Sequence, residues 1–181
     1  MKQVKRILVP TDLSDQSRRG FCYACALATE KNADLVVLHI ANEFEAWEWL
    51  CDDLGFVNSA ARVWPIDRVL AEASLDLNRF LEPHLHLTRN IPALTKRVVL
   101  GAIPEQISAI AGEENADLIV MSPRRHRGMR RFFNRSITDK VSRMSPCPVL
   151  CVTSPSPSPQ WRSKGLPALF GWSRPRAVAP S

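Results

Sequence analysis

The chain has 181 residues, of which 45% are hydrophobic and 23% are charged, a composition typical of a single soluble globular domain. Its formal net charge is +6 at pH 7, and no apolar run reaches the roughly 18 residues that suggest a membrane span. The first six residues lead directly into a strand-like segment and do not resemble a secretory signal, so we expect a cytoplasmic protein.

The first part of the chain alternates short apolar runs with a helical pattern. We predict strands at residues 4–9 and 34–40, and the second is continuously apolar, as expected when both faces of a strand are buried. Between them, Ser14 or Asp15 is suited to cap a helix that extends to about Lys31. The position of His39 within the second strand favours a packed or hydrogen-bonded residue over a catalytic base.

The middle of the chain changes character twice. Residues 41–64 lack a clear period and accumulate aromatic side chains, which indicates an insertion or lid with a short helix near its start. From Pro65 an amphipathic pattern predicts a helix that Pro83 ends. We then predict a strand at residues 96–100, a helix that opens at Pro104 and a strand at residues 117–121. Four polar residues of the Pro104 helix are expected to face water: Glu105, Gln106, Glu113 and Glu114.

The last predicted elements follow an arginine-rich loop. Ser136 and Asp139 are spaced as in a capping box, which predicts a helix that begins near Ser136. Pro146-Cys-Pro148 breaks that helix, and residues 149–153 form the fifth predicted strand.

Strands that alternate with helices predict an α/β fold: a doubly wound, five-stranded parallel sheet of Rossmann type with helices on both faces. In such sheets ligands bind outside the carboxyl ends of the strands. This places Asp12, the residues after Ile40 and the loop after Met121 around one crevice. We assign residues 1–153 to a single domain and residues 154–181 to a Pro/Ser-rich basic tail, which we expect to be disordered.

The five cysteines include one pair with metal-site spacing, Cys22-x-x-Cys25. The pair lies within an apolar helix pattern, so packing is the favoured role, with redox or metal chemistry as the alternative. No nucleophile with a base and an orienting carboxylate can be assembled from the sequence. We therefore name no catalytic residue and no metal ligand.

A series of motifs runs through the domain in a fixed order. They are Ile7-Leu-Val-Pro-Thr-Asp12-x-Ser14, Leu38-His-Ile40, Gly101-x-x-Pro-Glu105-x-Ile107, Ala116-Asp-Leu-Ile-Val-Met121, and Lys140-Val followed by Pro146-Cys-Pro-Val-Leu150. Together they resemble the universal stress protein family over nearly all of residues 1–153. The resemblance implies the adenine nucleotide alpha hydrolase-like fold, a homodimer, and a stress-response or regulatory role. It also implies that the chain is one of two kinds, because some members bind ATP and others do not.

The loop after the fourth strand separates these two kinds. Nucleotide-binding members carry Gly-x-x-Gly, nine further residues and then Gly-Ser or Gly-Thr, and the corresponding positions here are Ser122, Arg125, Arg135 and Ser136. All three glycines are absent. Glycine permits positive φ and lets backbone N–H groups approach phosphates, whereas an arginine side chain projects into that space. We therefore expect no ATP binding of the usual kind, and no enzyme activity beyond, at most, slow ATP hydrolysis or autophosphorylation.

The resemblance implies a degenerate nucleotide site. Asp12 matches an acidic residue that contacts adenosine in nucleotide-binding members, with a helix-capping carboxylate as an equally supported alternative. Ile40 and Met121 match apolar wall positions, although core packing also explains them. Arginines of the loop and the helix near Ser136 keep open the alternative that ATP with magnesium, or another anion, binds without the glycines. The full set is Pro10, Thr11, Asp12, Ile40, Met121, Ser122, Arg124, Arg125, Arg135, Ser136, Ile137 and Thr138.

The fifth strand gives a physical argument for self-association. An open edge at the last strand is a liability unless it is paired, and a second copy can pair with it by two-fold symmetry. The predicted dimer edge comprises Val149, Leu150, Cys151 and Val152. A further alternative is an interaction module that docks the basic loop and tail on an acidic protein partner or an anionic membrane surface. No defined nucleic-acid-binding motif is present.

Overall fold

The computed structural model describes residues 3–41, 66–122 and 131–153, with the backbone alone for residues 131–136. The predicted insertion or lid, most of the arginine-rich loop and the tail therefore lie outside the described residues. None of the helices in the described part has the length and apolarity needed to cross a membrane.

The described elements follow the predicted alternation of strands and helices. In chain order they are β1 (Arg6–Thr11), α1 (Asp15–Lys31), β2 (Asp34–Ala41), α2 (Ile66–Leu81), a 3-10 helix (Glu82–Thr88), β3 (Leu94–Leu100), α3 (Ile103–Glu113), β4 (Leu118–Met121), α4 (Arg131–Met144) and β5 (Val149–Cys151).

The strands form one parallel sheet in the order β3-β2-β1-β4-β5. Side chains of β1 and β2 alternate between its two faces. On one face Ile7 and Val37 pack with Phe21 of α1 and Leu77 of α2. On the other face Leu8 and Val36 pack with residues of α3 and α4, including Ile107 and Val141. The predicted doubly wound sheet with helices on both faces is confirmed.

Of the two predicted caps of α1, Ser14 and Asp15, the structure selects Ser14. Ser14 is its N-cap, and the Ser14 side chain accepts a hydrogen bond from the backbone N–H of Ser17 at 3.2 Å. The helix ends at Asn32, which adopts a left-handed conformation with φ 52°. Asparagine tolerates that conformation better than most residues, so it ends the helix in place of a glycine.

β1 extends two residues beyond the predicted end, through Pro10 to Thr11. The backbone of β1 bonds alternately to its two neighbours: Lys5 O accepts from Asp34 of β2, and Arg6 O accepts from Asp117 beside β4. By this alternation Pro10 directs its missing N–H toward β4, whose pairing with β1 covers only the two positions Ile7 and Leu8. The proline therefore costs β1 no bond to β2.

The prediction that Glu114 faces water is wrong. Its side chain is only 15% exposed, because the end of α3 brings it against Arg97 of β3 and Arg6 of β1. Glu114 Oε1 lies 2.8 Å from Arg97 Nη1, and Arg6 Nη1 also donates to the Glu114 carbonyl oxygen at 2.9 Å. Gln106 is likewise partly buried, whereas Glu105 and Glu113 are exposed as predicted.

Candidate functional site

The carboxyl ends of three adjacent strands, β2, β1 and β4, bring the described part of the predicted crevice together. Thr11 ends β1 and pairs in register with His39 of β2, while Met121 ends β4 on the other side of β1. Ile40 and Met121 are each 8% exposed, so both are core residues as well as neighbours of the crevice. Pro10 and Asp12 are more exposed than Thr11.

The turn between β1 and α1 is held by its own polar side chains. Thr11 Oγ1 lies 2.9 Å from Ser17 Oγ and accepts from the backbone N–H of Leu13 at 3.1 Å. Leu13 has φ 59°, a conformation that is energetically costly for a bulky residue. Such a conformation persists only where the surrounding contacts impose it. These contacts fix the direction in which the chain leaves β1, and therefore the position of Asp12.

Asp12 stabilises this turn through Ser14. One carboxylate oxygen, Oδ1, accepts from the backbone N–H of Ser14 at 3.1 Å and from the Ser14 hydroxyl at 2.5 Å. Ser14 in turn caps α1, so Asp12 supports the cap without being the cap itself. The structural role of Asp12 is therefore to hold the capping residue in place. Its exposed carboxylate also borders the crevice.

His39 is a buried, hydrogen-bonded strand residue, as the sequence suggested. Its Nδ1 lies 3.1 Å from the carbonyl oxygen of Thr11. A carbonyl oxygen can only accept, so Nδ1 carries the proton and donates. Thr11, Ser17 and His39 are the buried polar side chains of the described residues, and all three meet at the β1–α1 turn.

Ser122 occupies the place of the first glycine in the nucleotide-binding pattern. Its hydroxyl lies 3.0 Å from the carbonyl oxygen of Gln16 in α1 and 3.1 Å from that of Val152, just after β5. These two acceptors are 106 and 30 residues away along the chain. No local sequence signal could have identified them, because the contacts depend on how the sheet is assembled.

The prediction that a helix begins near Ser136 is wrong. α4 begins at Arg131, so Arg135 and Ser136 lie in its second turn. No glycine or proline stands between residues 131 and 136 to stop the helix, and the added hydrogen bonds outweigh a capping preference of about 1 kcal/mol. Ile137 is partly buried and packs on the core with Val141, and Thr138 is partly buried. Arg124 and Arg125 lie outside the described residues.

Among the described strands, β5 lies at one edge of the sheet and pairs with β4 alone, the position predicted for the strand that would bind a second copy. It ends at Cys151, two residues before the predicted end. Val149, Leu150 and Val152 are partly buried and Cys151 is exposed. The assignment of a dimer edge to these residues stays a prediction.

The cysteine pair in α1 has the character of core packing. Cys25 lies in the main core, and burial raises the pKa of its thiol to about 12. Burial also raises the pKa of Cys22, with Arg18 acting in the opposite direction. Thiols that stay protonated are poor nucleophiles and poor metal ligands. Within the described ranges, no three His, Cys, Asp or Glu side chains cluster in a way that could hold a metal ion.

Comparison with known proteins gives consistent matches over the described domain. The model of the universal stress protein family matches residues 3–153. A universal stress protein of Thermus aquaticus is 34% identical over 152 residues, which covers 82% of this chain and 98% of that protein.

Two solved structures share the fold. The universal stress protein UspA of Lactobacillus plantarum is 23% identical with a TM-score of 0.63, covering 84% of this chain and 99% of that one. The universal stress protein of Archaeoglobus fulgidus solved in complex with dAMP is 19% identical with a TM-score of 0.51, covering 83% and 98%. With the family model spanning most of its length, this chain belongs to the universal stress protein family.

Proposed function

We propose that this protein is a cytoplasmic stress-response regulator that acts as a homodimer and does not hold ATP in a glycine cradle. The observation that carries the proposal is the early start of α4 at Arg131. Only the first four N–H groups of a helix are free to meet a ligand. The amides of Arg135 and Ser136, at the positions that contact phosphates in nucleotide-binding relatives, are therefore used within the helix.

The start of the same loop supports the proposal independently. Ser122 replaces the first glycine, and its hydroxyl is already engaged by two backbone carbonyls. Its Cβ is also confined, because Gly20 of α1 packs directly against it. The start of the loop is therefore held by side-chain contacts that a glycine at this position would lack.

The homodimer is supported by the short edge strand. β5 has three residues and, among the described strands, pairs with β4 alone, so none of these strands covers its outer edge. Pairing with β5 of a second copy would cover that edge by two-fold symmetry.

Isothermal titration of the unmodified protein with ATP and magnesium tests the proposal. We expect no heat of binding at micromolar concentrations. The triple variant Ser122→Gly, Arg125→Gly and Arg135→Gly restores the three glycines, and Arg127→Gly is the matched control because it removes an arginine of the loop outside the glycine positions. Micromolar binding of ATP by the unmodified protein would overturn the proposal, whereas binding gained only by the triple variant would support it strongly.

A second candidate function is nucleotide or anion binding without the glycines, with slow hydrolysis or autophosphorylation at most. It is favoured by the meeting of Asp12, Ile40 and Met121 at adjacent strand ends, and by the relative of the same fold that was solved with dAMP. Titration with AMP separates the two candidates. If the unmodified protein binds AMP and ATP equally, and Asp12→Asn weakens both, the nucleoside portion is recognised and the second candidate is correct.

A further inference from the structure

We infer that Ser122 is a positioning residue that fastens the edge strand β5 to the sheet and to the first turn of α1. The residue at the family's first glycine position then determines how firmly the edge strand β5 is held to the sheet. This inference goes beyond the proposed function, since it concerns how the crevice side of β4 and the edge strand are coupled, whatever binds there.

The Ser122 hydroxyl lies close to two backbone carbonyls. Ser122 Oγ lies 3.0 Å from Gln16 O and 3.1 Å from Val152 O, so its single proton is shared between a carbonyl of α1 and one that follows β5. Both distances are within hydrogen-bond range. One side chain thus joins three segments: the ends of β4 and β5 and the start of α1.

The side chain of Ser122 is held in position by close packing against α1. A Cβ at Gly20 would lie 2.8 Å from the Cβ of Ser122, so the absence of a side chain at Gly20 makes room for the serine. The same added Cβ would lie 3.5 Å from the backbone nitrogen of Ser122, so the backbone at residue 122 also runs close to α1. The Ser122 side chain therefore has little freedom to move, and its hydroxyl stays within reach of both carbonyls.

The strand β5 is short and has few hydrogen bonds to its neighbour β4. It has three residues, and its hydrogen bonds with β4 include Ile119 N–H to Pro148 O at 3.0 Å and Val152 N–H to Met121 O at 2.7 Å. Short segments with few buried contacts open locally more easily than the rest of a fold. The Val152 N–H donates to Met121 O, and the Val152 carbonyl accepts from the Ser122 hydroxyl. Loss of the hydroxyl therefore removes one of these two hydrogen bonds.

Amide hydrogen exchange of the full chain, resolved residue by residue, tests the inference. In Ser122→Ala and Ser122→Gly we expect the Val152 amide to exchange roughly 2- to 10-fold faster, as the loss of one hydrogen bond predicts. The Leu35 amide, which donates to Ala93 O at 2.8 Å at the opposite side of the sheet, should keep its rate. Ser108→Ala is the matched control, because Ser108 Oγ has no hydrogen-bond partner among the described residues.

Two outcomes would overturn the inference. An unchanged rate at Val152 would show that the hydroxyl does not hold the strand, and equal acceleration at Val152 and Leu35 would show a general loss of stability. The oligomeric state, measured by sedimentation on the same samples, bears on the proposed homodimer alone. A monomeric protein whose Val152 exchange depends on Ser122 would therefore contradict the homodimer and support the fastening role.

Discussion

A Cβ atom built on Gly20 lies 2.8 Å from the Cβ of Ser122, so α1 and the end of β4 meet at a point with room for only one of two side chains. Glycine inside a helix costs about 0.5–1 kcal/mol relative to alanine, and nothing in the local sequence of α1 explains its presence. The explanation lies 102 residues further along, at the position where nucleotide-binding relatives carry a glycine and this chain carries serine.

The effect of Gly20→Ala should therefore change sign with residue 122. In the unmodified protein we expect a loss of about 1–3 kcal/mol in the free energy of unfolding, because the new methyl group overlaps Ser122. In the Ser122→Gly background the remaining neighbours are at 3.5 and 3.7 Å, ordinary contact distances, and the same change should stabilise by up to about 1 kcal/mol. Urea denaturation of the four proteins in the cycle measures the coupling.

Gly112→Ala is the matched control for this cycle. A Cβ at Gly112 meets nothing within 4 Å, so the substitution should stabilise the protein by about 0.5–1 kcal/mol in either background. If Gly20→Ala behaves like Gly112→Ala in the unmodified protein, the proposed crowding between α1 and Ser122 is wrong.

Asp12 and Ser14 should contribute to stability in the absence of any ligand. Ser14→Ala removes the cap of α1 and should cost about 1 kcal/mol. Asp12→Ala removes the acceptor for Ser14 N–H and Oγ and should cost a similar amount, whereas Asp12→Asn keeps an oxygen at Oδ1 and should retain most of the stability. Thermal unfolding of the nucleotide-free protein measures all three, and equal losses for the two Asp12 variants would assign the effect to charge.

The contrast between the two predicted helix starts shows what local sequence can determine. Ser14 follows a strand that ends in a polar turn, and its capping role needs only the neighbouring residues 12–17, so the sequence could predict it as one of two candidates. Ser136 has an equally good capping pattern but stands in a segment without a helix breaker, and the helix continues through it from Arg131. A capping motif permits a helix start without requiring one.

Contacts between distant segments account for most of what the sequence could not predict. The strand pattern and its buried faces were predictable, because continuous apolar runs such as residues 35–38 occur in few other settings. The roles of Ser122 and Glu114 were not, since the partners of each belong to other helices and strands. The crevice could be located from the strand ends, whereas the actual partners of its side chains required the three-dimensional arrangement.

Glu114 and Glu113 offer a matched test of burial in ion pairing. Both contact Arg97, at 2.8 and 3.1 Å respectively, but Glu114 is 15% exposed and Glu113 is 58% exposed. We expect Glu114→Gln to cost about 1–3 kcal/mol, because it leaves Arg97 and Arg6 without their shared, partly buried partner. Glu113→Gln should cost less than about 0.5 kcal/mol, as exposed pairs usually do. Equal losses in urea denaturation would contradict the role assigned to burial.

Cys25 should make the protein sensitive to alkali. Burial raises the pKa of its thiol from 9.0 to about 12, so the thiol stays protonated in the folded state while the unfolded chain loses the proton above pH 9. A raised folded-state pKa gives stability that is complete below pH 9 and is lost as the pH rises toward 12, by about 1 kcal/mol between pH 8 and pH 10.

Cys25→Ala should remove this part of the pH dependence, although it lowers the stability at pH 8 by opening a small cavity. Cys151→Ala should retain most of it, because burial and Asp139 raise the pKa of the Cys151 thiol but the residue is far more exposed than Cys25. Chemical denaturation at pH 8, 9 and 10 measures the slopes, and parallel slopes for the unmodified protein and Cys25→Ala would show that another group titrates.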